Sequence, residues 1–479
     1  MTATAQKSKT VAFWQSVGTR FLPFADAATA DLPLGRLLRL SLFQISVGMA
    51  AVLLTGTLNR VMIIELGIPA SLVALMIALP VLAAPFRVLI GHRSDTYKSV
   101  LGWRRVPYIW LGTLLQFGGL AIMPFALLLM NSQTTGPEWA GPVAAALAFV
   151  VTGFGMHMTQ TAGLALATDL AAPDSRPRVV ALVYVILLVG MILASLAFGA
   201  LLSDFSATRL IQVIQGAAVF TVLVNVAALW KQEARNPQAT SADRESASFA
   251  EAWAEYRKDR GTGRLLLAVG LGSAAFSMQD VLLEPFGGEI LGLSVGQTTL
   301  LTAAWASGAL VGFGLAGSLL HRGFNMHRVA AIGVLVGIVA FTAVILSSPL
   351  GSTPLFVAGV GLIGMGGGLF AVSTMLAAMA LADRSDSGFA IGAWSAVQAT
   401  AIGLGLAAGG LIRDTVNAAA TTGAMGEALA SPATGYNAVY HLEILLLFIS
   451  LVVIGPLTNH VGATSQSSTG RFGLAELPG

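Results

Sequence analysis

Cysteine is absent from this sequence. That excludes a disulfide framework, a cysteine-ligated iron–sulfur cluster and a thiolate zinc site. Charge is scarce, with 10% of residues being Asp, Glu, Lys or Arg, and there are only 6 histidines. Paired aspartate-rich motifs are missing too. A membrane prenyltransferase would need such motifs to hold magnesium diphosphate, so an enzyme is not expected and no redox cofactor is implied. A pI near 9.3 could suggest nucleic acid, but the basic residues are spread along loops, and no nucleic-acid partner is expected. Met1–Leu40 is polar and then amphipathic, without a small-residue cleavage pattern, so no cleavable signal is expected.

What the sequence has is apolar surface. Of 479 residues, 55% are hydrophobic and 54 are glycine, and the mean hydropathy is +0.78. That composition indicates a polytopic membrane protein, with glycine suited to close helix approach in lipid. Apolar runs of bilayer length are read at 37–58, 70–90, 107–130, 141–167, 179–202, 209–230, 264–285, 296–320, 328–348, 354–380, 388–411 and 439–458. With a cytoplasmic N-terminus, 23 of the 26 Lys and Arg residues fall on the cytoplasmic side, and only Arg60, Arg209 and Arg413 fall outside. The positive-inside rule therefore supports twelve spans and two cytoplasmic termini.

The reading is all-α, with twelve transmembrane helices in two six-helix halves. Residues 1–36 form a cytoplasmic segment whose Trp14, Val17, Phe21 and Phe24 suggest an interfacial helix. The halves are 37–230 and 264–460, and 461–479 is a cytoplasmic tail. The linker 231–263 includes a second amphipathic helix marked by the Ser248/Glu251 capping box. A weak internal repeat relates the ends of spans four and ten, each with an Asp (Asp169, Asp383) followed by an Asp–Ser pair. Twelve spans, two halves and a long central loop look like the major facilitator architecture.

Three features carry candidate function. Gln279–Gly296 (QDVLLEPFGGEILGLSVG) holds Asp280, Glu284 and Glu289. On a helix, Asp280 and Glu284 share a face and are expected to form one contact, with Arg60 or Arg413 as available partners. Pro285, Gly287 and Gly288 should stop that helix, Glu289 should be hydrated, and Ser294 with Gln297 should cap the next span. The second feature lies in span four, where His157 and Gln160 bring polar groups deep into the membrane. His157 is a candidate ligand for the magnesium of a chlorin; a hydrogen-bonded histidine between packed helices is the plainer alternative. Third, Gly91, Asp95, Gly102, Arg104 and Arg105 resemble the loop motif of the major facilitator superfamily, with a longer Asp-to-Gly spacing. In that family the loop locks one gate, and Asp169 and Asp383 would belong to such a structure. The second half lacks the motif, since His321 stands where the Asp would be. Glycine-rich GLIGMGGG (361–368) and GLGLAAGG (403–410) lie inside apolar spans and fit close packing or a flat ligand rather than a phosphate loop.

LNRVMIIELGIPA (58–70), GHRSDTYKSVLGWRRVPYIW (91–110), TQTAGLALATDLAAP (159–173) and QDVLLEPFGGEILGLSVGQTT (279–299) resemble the PucC/LhaA group, the bacteriochlorophyll-delivery branch of the major facilitator superfamily. The resemblance covers about 30–460, and the long N-terminal extension inclines it toward LhaA. It implies an assembly factor for bacterial light-harvesting antenna, the core antenna around the reaction centre being favoured. Its partners would be antenna polypeptides, the reaction-centre core complex and membrane lipids. Its bound cargo would be bacteriochlorophyll, with carotenoid or lipid as further candidates. His157, Gln160, Asp280 and Glu284 are the candidate polar groups of a pigment cleft. The location implied is the inner, intracytoplasmic photosynthetic membrane. The alternative is a proton- or ion-coupled solute transporter.

Overall fold

The computed structural model describes residues 32–82, 103, 105–130, 137, 139–172, 175–233, 260–380 and 387–460. The first interfacial helix, the linker helix with its Ser248/Glu251 box, and the loop residues Gly91, Asp95, Gly102, Arg104 and Asp383 lie outside the described residues. Within them the chain is all helical. The elements are α1 (Leu34–Glu65), α2 (Ala70–Leu82), α3 (Val106–Leu129), α4 (Ala140–Leu170), α5 (Arg176–Leu201) and α6 (Ala207–Leu229). They continue as α7 (Arg260–Ser277), α8 (Leu283–Glu289), α9 (Val295–His321), α10 (Met326–Ser347), α11 (Thr353–Ala380), α12 (Ser387–Thr421) and α13 (Ala433–Ile454). Eleven stretches of described helix are long and apolar enough to cross a membrane; α7 and α8 together make one of them, and α2 is a shorter apolar helix. The chain is a multi-pass membrane protein.

Helix ends follow local chemistry. Ser206 accepts from the Arg209 N–H at 3.1 Å and starts α6. Asn325 accepts from the His327 N–H at 2.8 Å and starts α10. The expected Ser294/Gln297 box caps α9, with both reciprocal bonds formed. Pro107 and Pro177 sit in first turns, where a missing N–H costs nothing.

Helices α1–α6 pack mainly through α3 on α4, α1 on α5 and α3 on α6, whereas α7–α13 pack through α10 and α9 on α11 and through α12 and α13 on α7. Glycines permit the closest of these approaches. A Cβ on Gly364 would strike the backbone of Trp305, one on Gly366 the backbone of Gly333, and one on Gly368 the backbone of Ala309. GLIGMGGG is thus a packing ridge. A buried polar network ties α1, α3 and α6. Ser46 donates to Asn225 Oδ1 (2.8 Å), Asn225 to Thr113 (2.9 Å) and Gln116 to the Ser46 carbonyl (2.8 Å).

The two sets of helices meet mainly where α2 packs on α12 and α5 on α9. One apolar core crosses both sets, through residues such as Leu53, Met62, Ala74, Val281, Phe286 and Leu406. Towards the end that holds the start of α1 and the finish of α13, the cores are separate. Leu37, Phe43, Leu166 and Val183 form one cluster; Leu265, Val269 and Trp394 form another, and Leu320, Val329 and Leu376 a third. Among the described residues, the halves are joined at the end opposite the termini and carry separate cores at the termini end.

Candidate functional site: a polar seam between the halves

The broken helix Gln279–Gly296 sits at the joined end. It is not one helix stopped by Pro285, as its sequence suggests. The α-helix ends at Ser277, Met278–Val281 form a 3-10 turn, and α8 restarts at Leu283. Pro285 falls in the first turn of α8, where its lost N–H is harmless. The 3-10 turn is fixed by its neighbours. Gly409 of α12 lies against the Met278 carbonyl, so closely that a Cβ would stand 2.5 Å from it. Breaking a helix frees carbonyls, and the opposite half satisfies one of them: Asn59 of α1 donates to the Val281 carbonyl at 2.9 Å.

The acids take different partners. Asp280, half-buried, accepts from the adjacent Gln279 amide. Glu284 is 3% exposed, and its Oε1 accepts from the Thr302 hydroxyl of α9 at 2.5 Å. The expected single Asp280–Glu284 contact is therefore corrected: the change to a 3-10 turn breaks the i, i+4 register that would have stacked them. Glu284 faces Gly56 of α1, where a Cβ would stand 2.6 Å from Oε1. Around Gly56 the helix widens into π-type turns at Val52–Thr57 and again at Val61–Glu65, features that concentrate at functional sites.

Glu289 is also corrected. It is held, not merely hydrated. Arg413 of α12 donates to Glu289 Oε2 at 2.7 Å and the Tyr436 hydroxyl donates to the same oxygen at 2.6 Å. The guanidinium also bonds Asp414 (2.9 Å) and lies 4.7 Å from the centre of the Tyr436 ring. Asp414 in turn accepts the Ser71 N–H of α2 at 2.7 Å, an acid at a helix N-terminus in the other half. Arg60 pairs with Glu65 and donates to the Leu293 carbonyl at 3.3 Å, beside Gly288. Thr57 and Thr299 meet at 3.2 Å. Thus α1 and α2 from one half grip α8, α9 and α12 from the other.

His157 and Gln160 lie elsewhere. They belong to a half-buried stripe on α4 with Phe154, Thr161 and Leu164, and α4 packs on α1, α2, α3 and α5. The break packs on α1, α2, α7, α12 and α13. The four residues read as one cleft thus occupy two places, in different halves. Of the loop candidates within the described residues, Arg105 and Asp169 come together, Nε to Oδ2 at 3.0 Å. Glu233 accepts the Arg105 and Val106 N–H groups at the start of α3. Nearby, Trp103, Trp110, Trp230, Leu229 and Lys231 help line a pocket of about 410 Å³.

Sequence reasoning passes over Glu443. It lies in α13 at 0% exposure, and neither carboxylate oxygen has a hydrogen-bond partner. The available signal is simple: no other acid lies in Ala433–Ile454.

The family model described as "PUCC protein" matches residues 57–461. The "Uncharacterized protein in puhA-bchM intergenic region" of Rhodobacter capsulatus is 56% identical, covering 97% of this chain and 98% of that one. "Protein PucC" of Rhodovulum sulfidophilum is also 56% identical, covering 84% and 90%. The "Bacteriochlorophyll synthase 44.5 kDa chain" of Rhodobacter capsulatus is 30% identical, covering 77% and 85%. Among solved structures, a bacterial homologue of the lysosomal transporter Spinster, inward-facing and unoccupied, superposes with a TM-score of 0.69 at 16% identity, covering 91% and 98%. The nucleoside transporter NupG gives 0.63 at 15%, covering 90% and 100%. These structures establish the major facilitator fold, and the match over 57–461 settles the lineage: the chain belongs to the PucC family.

Proposed function

We propose that this protein is a non-enzymatic assembly factor for the bacterial light-harvesting antenna, with the core antenna around the reaction centre as its client. Family membership across nearly the whole membrane region carries this reading. The transporters that share the fold do so at 14–16% identity, which speaks to architecture alone. The bacteriochlorophyll in the name of one relative directs attention to pigment as cargo.

The role is to bind or deliver bacteriochlorophyll and to organise antenna polypeptides. A chlorin has a large apolar ring and tail and a polar, metal-bearing centre. The half-buried stripe around His157 and Gln160 suits such a cargo, with carotenoid or lipid as further occupants. The protein sits in the inner, photosynthetic membrane with both termini cytoplasmic, as its basic loops direct. The polar seam then closes the outer end, and cargo enters from the cytoplasmic end or the lipid side. The test is to purify the protein from a pigmented host and from a strain blocked in bacteriochlorophyll synthesis, then identify pigments and partner polypeptides. Pigment in the first preparation only, lost on His157→Ala, supports a carrier. Pigment absent from both overturns the carrier and leaves a scaffold.

A further inference from the structure

Glu443 is fully buried, with no hydrogen-bond partner for either oxygen. Two buried oxygens, on this and a neighbouring element, also lack partners. One turn earlier on the same face of α13, the Tyr440 hydroxyl is buried and without a partner. The Tyr440 ring is fixed between Phe286 and Phe341, at centroid distances of 5.6 and 6.4 Å. Across from them is the break in span seven. Gln279 there is fully buried, and its Oε1 is also unpartnered. The orientation of that amide is set, because its nitrogen donates to the Phe276 carbonyl at 3.0 Å. The Gln279 backbone lies beside Glu443, and Asp280 is its acidic neighbour.

Among the described residues, no protein cation answers this carboxylate. Seven residues separate Glu443 from Tyr436, about 10 Å along the helix, and the Arg413 guanidinium is committed at the Tyr436 end to Glu289 and Asp414. Residues 265–277 of α7 and 329–347 of α10 carry no titratable side chain. On α12, Arg413 and Asp414 are the charged groups that reach this end. The facing titratable groups are therefore Asp280, Tyr440, Tyr436, Glu289, Asp414 and Arg413. A buried carboxylate without a counter-charge is expensive in lipid, and oxygen ligands are what a small hard cation requires.

We propose that Glu443, Tyr440 and Gln279 form a binding site for one small monovalent cation, a sodium ion or a proton, at the break of span seven. The site lies within the C-terminal half and is independent of the pigment reading. Occupancy neutralises Glu443 and braces the 3-10 turn whose Val281 carbonyl is gripped by Asn59. The cation thereby stabilises the seam from behind.

The experiment is thermal unfolding of the detergent-purified full chain. One arm titrates NaCl against choline chloride at fixed pH. The other varies pH in choline chloride. A sodium site raises the Tm with NaCl, on the order of 2 °C or more near saturation. A proton site gives a Tm that falls as pH rises in choline. Glu443→Gln abolishes a sodium response, and it removes from a pH response the part due to this site, leaving the contributions of the chain's other acids. Tyr440→Phe keeps the fold and weakens the apparent affinity roughly two- to tenfold, the loss of one hydrogen-bond-strength contact. Tyr440→Phe thus tests the site even if Glu443→Gln does not fold. A native chain indifferent to both titrations, or a Glu443→Gln or Tyr440→Phe protein that responds as the native chain does, overturns the proposal.

Discussion

Replacing Arg413 by Gln removes the cation that holds Glu289 and Asp414. Arg413 is 9% exposed, donates at 2.7 Å to Glu289 and 2.9 Å to Asp414, and rests against the Tyr436 ring. A hydrogen bond to a charged group contributes about 1.5–3 kcal/mol, and breaking a fully buried pair costs about 3–5 kcal/mol. Two facts lower that figure. The Glu289 and Asp414 side chains keep 30% and 20% of their exposure, so water screens part of the loss. Each acid also keeps a second donor, the Tyr436 hydroxyl for Glu289 and the Ser71 N–H for Asp414. A loss of about 2–3 kcal/mol is expected. Since 1 kcal/mol moves the Tm by about 2–4 °C in chains of 150–250 residues and less in a longer one, the fall should be about 3–6 °C. The assay is thermal unfolding of the native chain, Arg413→Gln, Glu289→Gln and the double variant. A coupling energy of about 1–2 kcal/mol between the two sites is predicted. Arg413→Gln within about 0.5 kcal/mol of native, the ordinary effect of a surface change, or additive single effects, would refute the claim that this pair holds the seam.

Other outcomes follow from the same contacts. Gly56→Ala places a methyl group 2.6 Å from Glu284 Oε1 and 3.0 Å from the Thr302 hydroxyl; it should cost about 1–3 kcal/mol as an overpacked site, and less in a Glu284→Ala background, read by the same unfolding assay. Gly308→Ala drives a Cβ into the Gly361 backbone and should lower the Tm or the yield of folded protein, whereas Gly314→Ala, with open space around it, should not. Asp169→Asn removes a pair whose acid is 36% exposed; a Tm change below about 1 kcal/mol equivalent is expected, and a larger loss would mean the Arg105 contact is a principal lock at the termini end.

The sequence alone determined the membrane class, the run of apolar spans and the Ser294/Gln297 cap. Those depend on hydropathy and on residues three or four apart, which local chemistry decides. The same reasoning shows that acids in Gln279–Gly296 need an explanation, because charge is costly near lipid wherever the chain goes. It does not show how each acid is satisfied. Glu289 finds Arg413 and Tyr436, Glu284 finds Thr302, and Asp414 caps α2, 343 residues back along the chain. These partners are set by which helices approach closely enough, and that in turn depends on glycines such as Gly56, Gly288 and Gly409 facing the right neighbour. The break lies at Met278–Val281 rather than at Pro285 for the same reason: a proline is visible in sequence, whereas a carbonyl pressed against Gly409 and one taken up by Asn59 exist only once both halves have packed. Glu443 shows the limit most plainly. Its sequence neighbourhood is ordinary apolar helix, and only tertiary packing left both its carboxylate oxygens buried without a hydrogen-bond partner.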